Sequence, residues 1–152
     1  MEYLQTPVTN NPDLSGYQPT ESEREKASNG YLMSLVANIV GLPIPIINLL
    51  ATLIFFLANR RSGLFVKWHC TQALLSQLTI CIINSVAFTW TMNVLFSNAV
   101  VSNNYIAYVI TILIFNLAEF IMNIKAAIDV RKGKHIEFWF WGPLTNVLLK
   151  TT

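Results

Sequence analysis

"GLPIPIIN", residues 41–48, interrupts a long apolar run with a glycine and two prolines. A proline inside a helix costs about 3 kcal/mol, and Pro43 and Pro45 would act within one turn of each other. Pro43 also disfavours a helical Leu42. Gly41 suits the residue that closes a helix, and a proline near the first position of a new helix costs little. Residues 31–58 are therefore either one kinked span or two helices joined by a turn at Gly41, Pro43 and Pro45. The backbone chemistry favours the turn.

The flanking sequence sets the class of protein. Of 152 residues, 53% are hydrophobic and 12% charged, against about 25% charged in a soluble domain. No Asp, Glu, Lys or Arg occurs in residues 27–59 or in residues 68–118. A spanning helix needs about 20 apolar residues. Mean hydropathy is +0.47, which adds to the case for a polytopic membrane protein. The first 26 residues have neither a basic start nor an early apolar core, so they do not read as a signal peptide. Insertion is expected to use the internal apolar segments.

Residues 1–21 are rich in Thr, Asn, Ser, Gln and Pro without apolar periodicity, and read as a disordered cytoplasmic tail. Ser22 followed by Glu25 fits a capping box and predicts a helix start. Further apolar stretches follow over residues 46–59, 70–96 and 105–128. The last span gives way to a basic cluster and to four consecutive aromatics, residues 138–141, ahead of Gly142-Pro143. The domain reading is a helical membrane domain over 22–143 and a C-terminal tail at the membrane interface over 144–152. Trp68, Trp139 and Trp141, with Arg60, Arg61, Arg131 and Lys132, are the expected interfacial anchors.

Basic residues prefer the cytoplasmic side. The loop after residue 96 has none and is expected outside. The 59–69 loop and the C-terminal segment then lie inside. With a turn at residues 41–45, Arg24 and Lys26 join them, and all ten basic residues share one face. Length argues the other way, because residues 31–42 cover only about 18 Å at helical rise, short of a ~30 Å core. The hairpin is thus either fully spanning or re-entrant. The resulting fold class is an all-α, four-helix polytopic membrane bundle with both termini cytoplasmic.

Glu119 is the only acid within a span. Intramembrane ionisable groups are functional candidates by default. Asn116, Glu119 and Asn123 share one helical face, and His69, Gln72 and Ser76 share another on the preceding helix. The two faces are expected to meet, with His69 as a possible partner of Glu119. They read either as interhelical hydrogen bonds that hold the bundle or as a polar cleft around Glu119. Cys70 and Cys81 sit 11 apart on one helix, about 16 Å, which excludes a disulfide. No phosphate loop, metal-ligand spacing or nucleophile triad is present. The expectation is a non-enzyme without cofactor or metal. Its surroundings would be the lipid bilayer and other integral membrane proteins, with no nucleic acid and no identified small-molecule substrate.

The run from Leu42 to Leu75 carries a proline turn, an apolar helix ending in Arg60-Arg61, and then Phe65, Val66, His69, Gln72, Ala73 and Leu74. It resembles the small bacterial membrane proteins related to the twenty-kilodalton subunit of the chloroplast inner-envelope import translocon. Arg131, Gly133 and Pro143 continue the likeness, which covers about residues 22–143. Leu35 stands where that family often has His, and Leu75 where Asn is common. The resemblance implies four helices with both ends in the cytoplasm of the bacterial inner membrane. It points to an accessory subunit of a membrane complex linked to protein translocation. The alternative from the residues themselves is an oligomeric channel or carrier that uses the Glu119 face.

Overall fold

The computed structural model describes Leu14, residues 16–41, 45–97 and 100–150, apart from the side chains at 40 and 41. Pro43 lies outside the described residues, as does most of the expected N-terminal tail. Among the described residues the chain is entirely helical, with five helices rather than four. These are α1 Glu21–Gly41, α2 Pro45–Asn59, α3 Leu64–Phe96, α4 Asn103–Arg131 and α5 Trp141–Lys150. The fifth overlaps the stretch 144–152 read as a C-terminal tail at the membrane interface. Its Thr145 is buried, with the hydroxyl donating to the Trp141 carbonyl at 2.7 Å.

The stretch at 41–48 separates two helices. α1 ends at Gly41 and α2 starts on Pro45, where a proline removes no helical hydrogen bond. Their pairing is antiparallel. Asn48 Nδ2 donates to Asn38 Oδ1 at 3.1 Å, and Ser34 Oγ lies 3.4 Å from Thr52 Oγ1. The kinked-span alternative is therefore set aside. α2 has 15 residues, about 22 Å at helical rise. α3 has 33, about 50 Å by the same rise. The hairpin thus covers only part of the longer α3–α4 pair.

The expected capping box is present two residues earlier than its sequence position. Thr20 Oγ1 accepts from the Glu23 amide at 3.3 Å, and the Glu23 carboxylate accepts from the Thr20 amide at 2.9 Å. The reciprocal pair satisfies two donors that a helix start leaves open. That backbone bond, with the Tyr17 and Thr20 hydroxyls, holds the Glu23 carboxyl below the ordinary range. α4 ends in a Schellman motif. The Lys134 amide donates to the Asp129 carbonyl at 3.0 Å and the Gly133 amide to Val130 at 2.9 Å. Gly133 takes φ +82° there.

α1 packs against α2, α3 and α4, α2 against α3, and α5 against α3. Ala27, Ser28, Ala126 and Ala127 are all buried, and Ser28 Oγ donates to the Ala127 carbonyl at 2.9 Å. Small side chains let α1 and α4 approach closely, as packing without a hydrophobic drive between helices requires. The apolar core includes Tyr31, Phe65, Trp68, Val130 and Phe138. Outward, α3 and α4 expose Ile82, Val86, Leu95, Phe96, Ile110, Leu113, Ile114 and Leu117. Both helices are long and apolar enough to cross a membrane.

Candidate functional site: two buried polar networks

The polar faces of α3 and α4 meet in part. Glu119 is buried and accepts from four side chains on three helices. Asn38 Nδ2 reaches Oε2 at 2.6 Å, while Ser76 Oγ at 3.1 Å and Gln77 Nε2 at 2.6 Å reach Oε1. Asn123 Nδ2 also donates to Oε1. Asn48 extends the chain through Asn38. Every partner is an amide or a hydroxyl, and no basic side chain pairs with Glu119 among the described residues. Three acceptors in this cluster are buried without a donor: Asn48 Oδ1, Gln77 Oε1 and Asn123 Oδ1.

The residues of the expected set fall into three separate contacts. Asn116 faces Asn84, with reciprocal amide bonds at 3.0 and 2.8 Å. It does not reach Glu119, because one helical turn along α4 places it against a different turn of α3. His69 and Gln72 belong to a second network nearer the charged end. Gln77, absent from the sequence reading, joins the Glu119 cluster together with Asn38. Both were hidden because the register between helices, rather than the spacing within one, brings them there.

The second network ties α1, α3 and the 132–140 segment together. The Phe138 amide donates to Gln72 Oε1 at 2.9 Å, which fixes the Gln72 carboxamide. Gln72 Nε2 then donates to Tyr31 Oη at 2.8 Å and to the Ile136 carbonyl at 3.2 Å. The phenol hydrogen is left for His69 Nδ1, 2.9 Å away. His69 therefore carries its own hydrogen on Nε2, which donates to His135 Nδ1 at 3.3 Å. His135 Nε2 in turn donates to Glu137 Oε1 at 3.1 Å. The order of donors assigns the tautomer of both rings. Phe65 packs against His69, Trp68 against His135 and Phe138 against Tyr31.

The anchors divide as well. Trp68 is fully buried and donates from Nε1 to Asn146 Oδ1 at 2.7 Å. It faces inward because the first turns of α3 pack under α1 and α5. Trp141 is half-buried and donates to Thr79 Oγ1 at 3.1 Å. Trp139 is 92% exposed, and Arg60, Arg61, Arg131 and Lys132 are exposed as well. Among the described residues no group of three or more His, Cys, Asp or Glu side chains is placed to hold a metal. Cys70 and Cys81 are free thiols on α3.

An apolar exterior around buried amide, hydroxyl and carboxyl networks defines a helical bundle of the membrane type. The chain belongs to the MamF/MmsF family, the magnetosome magnetite crystal formation proteins, whose family model matches residues 27–145. No curated protein and no solved structure matches the chain. The family overturns the likeness to translocon-related proteins, and with it both expected functions, the translocation subunit and the channel or carrier. The misleading residues have a structural explanation. Phe65, Val66, His69, Gln72 and Ala73 are all buried. Their pattern encodes how the start of α3 packs and does not by itself fix a family.

Proposed function

We propose that the chain acts in magnetite crystal formation as a non-enzymatic, multi-pass protein of the magnetosome membrane, working alongside other integral membrane proteins. The family match across residues 27–145, which spans α2, α3 and α4 whole, carries this reading. The apolar outer faces of α3 and α4 support membrane residence. The charge distribution supports an orientation. The charged residues of α1, of the 60–67 loop and of the 125–137 region lie toward one end, and the 97–102 loop at the other end has none. By the preference of Lys and Arg for the cytoplasm, the uncharged end faces the crystal compartment. Glu119 apart, no carboxylate lies between residues 27 and 128. In this reading the chain shapes crystallisation by organising the surrounding membrane, not by presenting a carboxylate surface to the mineral.

The test is deletion of the gene in a magnetite-forming cell, with electron microscopy of the crystals. Altered crystal number, size or shape, restored by the intact chain, is the expected result. Crystals indistinguishable from the parent's would overturn the proposal.

A further inference from the structure

Two cavities, of about 280 and 320 Å3, lie where the α1–α2 hairpin ends against α3 and α4. They share Asn84, Leu113 and Asn116 and so form one cleft. The meeting ends of α1 and α2 contribute Asn38, Asn48 and Pro45 to its wall. The lips are apolar and open: Ile39 is 62% exposed, and Leu113 and Leu117 are 60% exposed. In a bilayer such lips face lipid, so whatever enters the cleft comes from the membrane.

The inner wall is polar, and its hydrogen-bond order is fixed from one end. Glu119 accepts from Asn38 Nδ2, so Asn38 presents Oδ1 to Asn48, and Asn48 answers with Nδ2. The series ends on Asn48 Oδ1, which has no donor on a side chain only 4% exposed. Asn84 lines the same cavity and has the opposite surplus. Its Nδ2 gives one hydrogen to Asn116 Oδ1, and an amide nitrogen carries two. Asn116 Nδ2 uses both of its own, on Asn84 Oδ1 and the Ile112 carbonyl. One acceptor and one donor hydrogen thus remain on the wall, with every side chain oriented as it stands.

This pairing selects the ligand. Among the described residues no charged side chain lines the cleft, so an ionised head would lie unpaired in an apolar shell. A bare alkyl chain leaves the Asn48 oxygen unsatisfied, which is costly for a buried acceptor. A water molecule needs about three polar partners, and walls such as Leu113, Leu117 and Phe120 supply none. A hydroxyl donates and accepts through one atom. An apolar tail behind it matches the walls, as in small-molecule sites generally.

We infer that this cleft binds a neutral, hydroxyl-headed lipid from the bilayer, with the hydroxyl against Asn48 and Asn84 and the chain along Leu113 and Leu117. The inference stands on the cleft alone and is independent of the role in crystal formation.

The full chain in phosphatidylcholine nanodiscs provides the test, since that headgroup has no hydrogen-bond donor. A diazirine-tagged tetradecanol is activated by light, and its adducts are mapped by mass spectrometry. Adducts should concentrate on Ile39, Leu113 and Leu117. Excess untagged tetradecanol should compete them away, and the methyl ether of the same chain should compete about fivefold less well, the worth of one neutral hydrogen bond. Leu113→Trp fills the cleft from its lip and leaves the amides alone. It should abolish the concentrated labelling with the melting temperature near that of the wild type. Asn48→Leu should make alcohol and ether compete equally. Equal competition by the two on the wild type would overturn the inference, as would adducts spread evenly along the outer faces of α3 and α4. So would a cleft free of adducts, which a second copy or a partner helix seated there would give.

Discussion

Gln72 offers the sharpest test of how the C-terminal segment is held. Gln72→Leu keeps the volume and removes three hydrogen bonds, to the Phe138 amide, Tyr31 Oη and the Ile136 carbonyl. The Phe138 amide is the costly one. It is buried and, once left without an acceptor, is destabilised by about 1–3 kcal/mol. The other two bonds contribute about 1 kcal/mol each. The added apolar surface returns roughly 1–2 kcal/mol. The net loss is therefore about 2 kcal/mol, and it falls on the 132–150 region before it falls on α1–α4. Limited proteolysis in detergent should cut the variant within residues 132–140 much faster than the wild type, while α1–α4 stay protected. Equal cleavage rates, or uniform cleavage across the chain, would refute the assignment of Gln72 as the anchor.

Three other perturbations address separate links. Gly133→Ala places a Cβ at φ +82° and should cost about 1–2 kcal/mol, read as a lower denaturation midpoint. Cysteines placed at Ser97 and at Arg61 should label from opposite sides of sealed vesicles with an impermeant maleimide; labelling from the same side would defeat the orientation proposed for α3. Glu23 has a lowered folded pKa, through its bond from the Thr20 amide first. Its contribution is therefore present above the ordinary carboxylate pKa and is lost as pH falls through the lower folded value. Hydrogen exchange at the start of α1 should accelerate across that acid range, and Glu23→Gln should flatten the dependence.

The sequence exposed Glu119 because it directly follows a 51-residue stretch, residues 68–118, that has no charged residue at all. Helical spacing then pointed to Asn123 and Ser76, both of which bond to Glu119. Spacing within a helix could not supply Asn38 or Gln77, whose place depends on how far each helix slides along its neighbour. His135 was out of reach for a different reason. It lies 66 residues from His69, in a segment without helical periodicity, and only the Schellman turn at Gly133 folds it back. Trp68 misled because an aromatic beside Lys67 reads the same whether it faces lipid or a neighbouring helix. The break between α1, which ends at Gly41, and α2, which starts at Pro45, was legible because proline chemistry is local and needs no tertiary information.

The unequal helix lengths explain why the polar core sits where it does. The last carbonyls of a helix and the first amides of the next have no partner within their own helix and need polar company. Asn38 lies one turn before the end of α1, and Asn48 one turn into α2. Both are bonded into the Glu119 cluster. The cluster thus serves the hairpin end as well as the α3–α4 contact. Replacing Glu119 alone leaves four side-chain donors without their acceptor, whereas replacing Asn38 alone releases only the hairpin. Asn38→Leu should therefore loosen α1–α2 against α4 while the Ser76, Gln77 and Asn123 contacts to Glu119 survive. Disulfide trapping between cysteines placed at Leu35 and Met122 reads the first effect, and hydrogen exchange along α3 and α4 around residues 76–77 and 119–123 reads the second. Loss of both together would mean that the cluster folds as one unit and that the hairpin has no separable hold.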